Sequence, residues 1–324
     1  MAGTRSYASG NFMLNLGGVN CGFVKSADCG DAVGEVVEEK AQAGSFTKKT
    51  IGALTYDDIE LNIGFGMAQD LYDWIAASLK MSYVRKDGSI VVTDPSFQAT
   101  SERQFFNALI TELTIPNLDA GSKDAAFLTV KFAPEYTRDA KASGKLTAGK
   151  TTAQKQFVGS NFRFELGDLP CNKVSKIESF TVTQMIATDD VGVARATAEP
   201  GKLEFPNLRV TLAEVDADPW FAWQEDFLIK GNCDDSNEKS GAIVFLSPNR
   251  QAELGRVSVY NVGIFALRRE SAPAGAQVSH VVAELYCERM ELQIGKAVAA
   301  PPVPVSQPLP LRPVPLPRQP GKVR

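Results

Sequence analysis

A chain of 324 residues is long enough for two ordinary domains. Its hydrophobic share of 44% and charged share of 22% are those of a globular protein, and a net charge of −4 removes the electrostatic reason to expect nucleic acid as the main partner. Residues 1–7, MAGTRSY, lack the apolar core of a signal peptide, and no stretch approaches the ~18 apolar residues that span a bilayer, so assembly in the cytoplasm is expected.

The first element to read clearly is a strand. Phe12, Leu14 and Leu16 share one face with Asn15 on the other, and Gly17 punctuates a turn. The same signal returns 150 residues later, where Asn11, Phe12, Leu16, Gly17, Cys21 and Val24 fall without a gap on Asn161, Phe162, Leu166, Gly167, Cys171 and Val174. A second alternating run, Ile59, Leu61, Ile63 and Phe65, has its counterpart in Leu208, Val210 and Leu212. Each leads directly into a helix. The first is predicted over 67–80 with an apolar stripe of Met67, Leu71, Trp74, Ile75 and Leu79. The second is predicted over 219–230, capped by Asp218, opened by Pro219, striped by Trp220, Trp223 and Phe227, and ended by Gly231.

More strands follow each helix: 90–92 and 243–245, then the long segments 105–115 and 259–267, then 127–132 and 281–292. Each repeat therefore reads as strands, one helix, then strands. The expected fold is α+β and mainly β: two tandem antiparallel β-sandwich or barrel domains, each with one flanking helix. Residues 1–136 form the first domain and 157–296 the second.

Between them, residues 137–156 contain no aromatic and few large aliphatic residues, and read as a flexible, basic linker. Residues 297–324 hold half of the 18 prolines and no acidic residue. This composition favours a disordered, extended polyproline II tail: either a solvated spacer or a docking peptide for an aromatic groove of a partner protein. A two-domain scaffold recruiting a partner through that tail is the alternative to an assembly subunit.

Little in the chain points to chemistry. His280 has no apparent nucleophile or orienting carboxylate beside it in sequence. Gly17-Gly18 and Gly64-Phe65-Gly66 lack the lysine and spacing of a phosphate loop. The acidic run Asp234-Asp235-Ser236-Asn237-Glu238 lacks the spacing of a calcium loop. Cys21, Cys29, Cys171, Cys233 and Cys287 are odd in number and form no CxxC pair, so buried free thiols are expected. No catalytic, cofactor-binding or metal-ligating residue is assigned, and an enzyme is not expected.

Three stretches of each copy carry a resemblance: NFMLNLGGVNCGFVKS, LTYDDIELNIGFGMAQDLYDWIAASLK and FLTVKFAPEYT in the first, NFRFELGDLPCNKVSKIESF, FPNLRVTLAEVDADPWFAWQEDFLIKG and AELYCERMELQI in the second. The sequence resembles the phage tail-tube protein family, shared with contractile injection systems. The resemblance implies domains placed side by side in a ring of six, with sheets joined edge to edge and rings stacked or capped as a tube. It implies as partners other copies of the chain, other tail, sheath or baseplate proteins, and a tape-measure or cargo in the lumen. Tube proteins of this family usually carry one such domain. Two per chain resembles hub and tube-adaptor proteins, in which three chains supply six domains.

Overall fold

The computed structural model of the chain describes residues 11–39, 46–146, 157–189, 197–270 and 279–295. The proline-rich 297–324 lies outside them.

The first half holds β1 (Phe12–Leu16), β2 (Val19–Val24), β3 (Ser26–Asp28), β4 (Ala32–Glu39), β5 (Lys48–Tyr56), β6 (Ile59–Ile63), α1 (Gln69–Leu79), β7 (Lys86–Thr93), β8 (Ala99–Ile115), β9 (Leu118–Asp119), β10 (Leu128–Ala133) and β11 (Tyr136–Ala140). The second half holds β12 (Phe162–Leu166), β13 (Val174–Ile177), β14 (Phe180–Asp189), β15 (Thr197–Glu204), β16 (Leu208–Ala213), α2 (Asp218–Gln224), β17 (Lys239–Leu246), β18 (Glu253–Glu270) and β19 (His280–Ile294). All strand pairings among the described residues are antiparallel, and each half contributes one main helix, as the sequence predicts; α1 lies against β2 and β8 of its own half and also along β19 of the other, where Lys80 pairs with Glu291.

The halves match over six strands of their main sheets. Sheet order β1-β7-β8-β10-β6-β3 in the first corresponds to β12-β17-β18-β19-β16-β13 in the second. Even the irregularities repeat. A bulge interrupts the pairing at Thr111 on β8 and at Phe265 on β18. Gly88 and Gly241 occupy equivalent crossings, where a Cβ would run into the carbonyl oxygen of Asn15 or of Glu165.

Alternation explains the strands. Ile59, Leu61 and Ile63 of β6 are fully buried while Glu60 and Asn62 remain partly exposed. On α1, Leu71, Trp74, Ile75 and Leu79 form the buried stripe, and Trp74 packs on Phe132 of β10 at 5.4 Å between ring centroids. The second helix differs from its prediction at both ends. Ala217 is the cap, with no side-chain hydrogen bond, so Asp218 is already helical. After Gln224 the coil loosens into a π turn over Glu225–Ile229, and Gly231, with φ of 77°, lies just past its end.

Two further findings depart from the sequence reading. Residues 137–140, expected to open a flexible linker, lie in β11 and pair with Glu102–Phe105 of β8; residues 147–156 lie outside the described residues. The halves also share one continuous core instead of keeping two. Phe65, Phe157 and Phe245 form its bridge, with centroid separations of 4.9, 5.0 and 5.4 Å.

Candidate functional site

The feature of this fold with functional content is where strands meet across the two halves. β8 and β9 run past β14 and β13 in one common register, interrupted at residues 116–117: Glu112 faces Thr183, Ile115 faces Phe180, Leu118 faces Ile177 and Asp119 faces Lys176. Each half thus lends strands to the sheet of the other: β14 and β15 extend the sheet of the first half, and β9 extends that of the second. Leu113, Ile115, Phe180 and Val182 point into the core and are buried. Ser179 Oγ donates to the carbonyl of Ile115 at 2.9 Å, tying the bend between β13 and β14 to the end of β8.

The opposite face of this sheet is a polar ladder. Asn62 Nδ2 donates to Ser26 Oγ (2.8 Å), Thr129 Oγ1 donates to Asn62 Oδ1 (2.7 Å), and the hydroxyls of Thr114 and Thr181 lie 2.8 Å apart across the seam. Beside it Lys131 sits between Glu112 (3.2 Å) and Glu60 (3.5 Å), and its hydrogen bond to Glu112 raises its pKa.

Two edges have no such partner among the described residues. β4 and β5 form a two-stranded sheet by themselves, with nearly every side chain exposed, including Val33, Val36, Leu54 and Ile51, the last at 72%. On β18, residues 266–270 pair with β19 on one side only. Open edges of this kind are templates for another chain.

The residues singled out in the sequence are not gathered into a site. Trp74 and Trp223 are buried against their own halves; Trp74 donates to the carbonyl of Val84 at 2.7 Å. His280 opens β19 opposite Ala213 and Glu270. The acidic loop closes on itself, with Asp234 Oδ1 accepting from Ser236 and Asn237. No group of three or more His, Cys, Asp or Glu side chains is placed to hold a metal among the described residues. Cys21 and Cys287 are buried, Cys29 and Cys171 are half-buried, and Cys233 is exposed, so the expectation of buried thiols fails there. Burial pushes the thiols of Cys21 and Cys171 up to about 11.

The family model described as T4-like virus tail tube protein gp19 matches residues 26–138. The match begins at β3 and ends within β11, so it contains the exposed β4–β5 hairpin and the long β8. Among solved structures the chain is similar to chains of three cryo-EM assemblies. One is the PVC sheath–tube complex of an extracellular contractile injection system in the extended state (TM-score 0.36, 16% identity, 42% of this chain and 89% of that one). Another is the tube-terminating cap of the anti-feeding prophage (TM-score 0.36, 15% identity, 47% and 97%). The third is the PVC sheath/tube terminator in the extended state (TM-score 0.36, 23% identity, 43% and 98%). No curated protein matches the chain.

Sequence reasoning missed both hairpins, β4–β5 and β14–β15, and with them the seam. A signal for the first was present. Glu38 and Glu39 lie opposite Lys49 and Lys48, with ion pairs of 2.6 and 3.6 Å, in two runs of β-branched residues.

Proposed function

We propose that this chain is a structural subunit of a tail or injection-system tube, built from two tail-tube domains over residues 1–136 and 157–296. The domains stand side by side in a ring, and such rings stack on or cap the inner tube. The observation that carries this reading is the pair of exchanged ladders in one register, residues 112–115 against 180–183 and 118–119 against 176–177, by which a strand of each half pairs with a sheet edge of the other. The match of residues 26–138 to the tail-tube family supports it. Six domains from three chains close the ring, the arrangement in which every sheet edge is used. The polar ladder of Asn62, Thr129, Thr114 and Thr181 then faces the lumen, and the helices face outward toward sheath or baseplate proteins. The role is mechanical and requires no catalytic group.

Light scattering coupled to size exclusion, with negative-stain imaging of the purified chain, tests this. Ring-shaped particles of three chains, single or stacked, are expected. A monomer at all concentrations overturns the reading.

A further inference from the structure

Resting on the ring reading, we infer that neighbouring chains join through residues 30–33 of one chain and residues 266–269 of the next, in a register that sets Asp31 opposite Arg268. The internal seam supplies the template. There β14, the first strand of the second half's hairpin, pairs with Glu112–Ile115 of β8. The first half has the same hairpin at the same place, since Val33 faces Thr55 as Thr183 faces Glu204. The second half has the same receiving strand, because the bulges at Thr111 and Phe265 fix Glu112–Ile115 onto Ala266–Arg269. Among the described residues, one half therefore offers a hairpin without a dock, and the other offers a dock without a hairpin.

Transferring the register residue by residue gives a chemically sensible seam. Thr183 against Glu112 becomes Val33 against Ala266, an apolar pair. Val182 against Leu113 becomes Ala32 against Leu267 on the core-facing side. Thr181 against Thr114, whose hydroxyls touch at 2.8 Å, becomes Asp31 against Arg268, an opposite-charge pair at the centre. Both side chains are accessible for it. Asp31 is 83% exposed while held by Arg103 at 3.2 Å, and Arg268 is 68% exposed beside Glu284 at 3.4 Å. The hairpin itself has reason to dock, because a lone two-stranded sheet with exposed Val33, Val36 and Ile51 is marginal in water. The occupant is a second copy of this chain, since the internal and external seams share one topology and differ in side chains. A Thr–Thr pair within the chain and an Asp–Arg pair between chains also keep the two seams from exchanging partners.

Charge exchange in the full-length chain tests the register. D31R and R268D, each at an exposed position, should keep the thermal melt of the wild type and raise the concentration for half-assembly by about 100-fold, because like charges then face each other. The double variant D31R/R268D should recover most of that loss. As a second measurement, V33C/A266C should give disulfide-linked chains under mild oxidation that neither single cysteine variant gives. Wild-type chain that stays monomeric overturns the ring reading and this inference with it. Rings that form in the wild type and are indifferent to both single swaps, or a V33C/A266C pair that never cross-links within such rings, overturn this inference alone.

Discussion

Asn107 on β8 and Asn261 on β18 stand at the same point of the two long strands, each with a left-handed backbone, at φ of 51° and 53°. Asparagine tolerates this region better than other side chains with a Cβ, and a β-branched residue does not tolerate it. Asn107→Gly and Asn261→Gly should therefore leave stability within about 1 kcal/mol of the wild type, whereas Asn107→Val and Asn261→Val should each cost about 1–3 kcal/mol. Denaturant unfolding of the four variants measures this. Equal losses for glycine and valine would show that the side-chain contacts matter more than the backbone, Asn107 Nδ2 on Glu135 (2.8 Å) foremost among them.

The two equivalent tryptophans separate a hydrogen bond from bulk. Trp74→Ala and Trp223→Ala should each destabilise by about 3–5 kcal/mol, since both rings fill core. Phenylalanine should split them. Trp74 loses its bond to the Val84 carbonyl, costing about 1–3 kcal/mol more than the lost volume. Trp223 has a buried indole nitrogen with no hydrogen-bond partner among the described residues, so Trp223→Phe removes an unsatisfied donor and should be milder than Trp74→Phe. Paired thermal melts decide the order.

The sequence was informative wherever one face of an element is buried. Ile59, Leu61 and Ile63 alternate because β6 has a core side and a polar side, and the α1 stripe around Trp74 follows from the same cause. The hairpins left weaker traces. β4 and β5 are exposed on both faces, so burial imposes no period on them. Thr137–Ala140 pair with β8 through backbone groups that any side chain carries, which is why their polar composition looked like linker. The seam was out of reach for a further reason: the register of 112–119 against 176–183 is a tertiary relation between segments some 60 residues apart, and local pattern holds no record of it.

The aromatic bridge should make the halves unfold together. Phe245 is fully buried between Phe65 and Phe157. Phe245→Ala should cost about 3–5 kcal/mol and lower the melting of both halves. Calorimetry of the wild type should give a single transition. Two separable transitions, with only the later one shifted by the substitution, would show that the shared core does not couple them.

The cysteines should sort by reactivity. Burial holds the Cys21 and Cys171 thiols at about 11, so about 0.1% of each is thiolate at pH 8, while Cys233 is exposed. A thiol reagent at pH 8 should modify Cys233 first, mapped by mass spectrometry, with Cys21 and Cys171 following only on unfolding. The linkage has a definite sign. The folded state retains protons that the unfolded chain releases above about pH 9, so this contribution to stability is present below pH 9 and is lost as pH rises from there toward 11. A fall in melting temperature between pH 9 and 11 that is smaller in the Cys21→Ala/Cys171→Ala variant checks it, the remainder belonging to Cys29, Cys287 and Tyr72, whose pKa values burial also raises.

The exchange of strands around residues 112–119 and 176–183, together with the shared core, has a geometric consequence. Because the two halves are tied by backbone hydrogen bonds and by the three phenylalanines, the angle between them is written into a single polypeptide. In the proposed ring each chain would then contribute a fixed arc, and the diameter of the circle would be decided before a second molecule arrives.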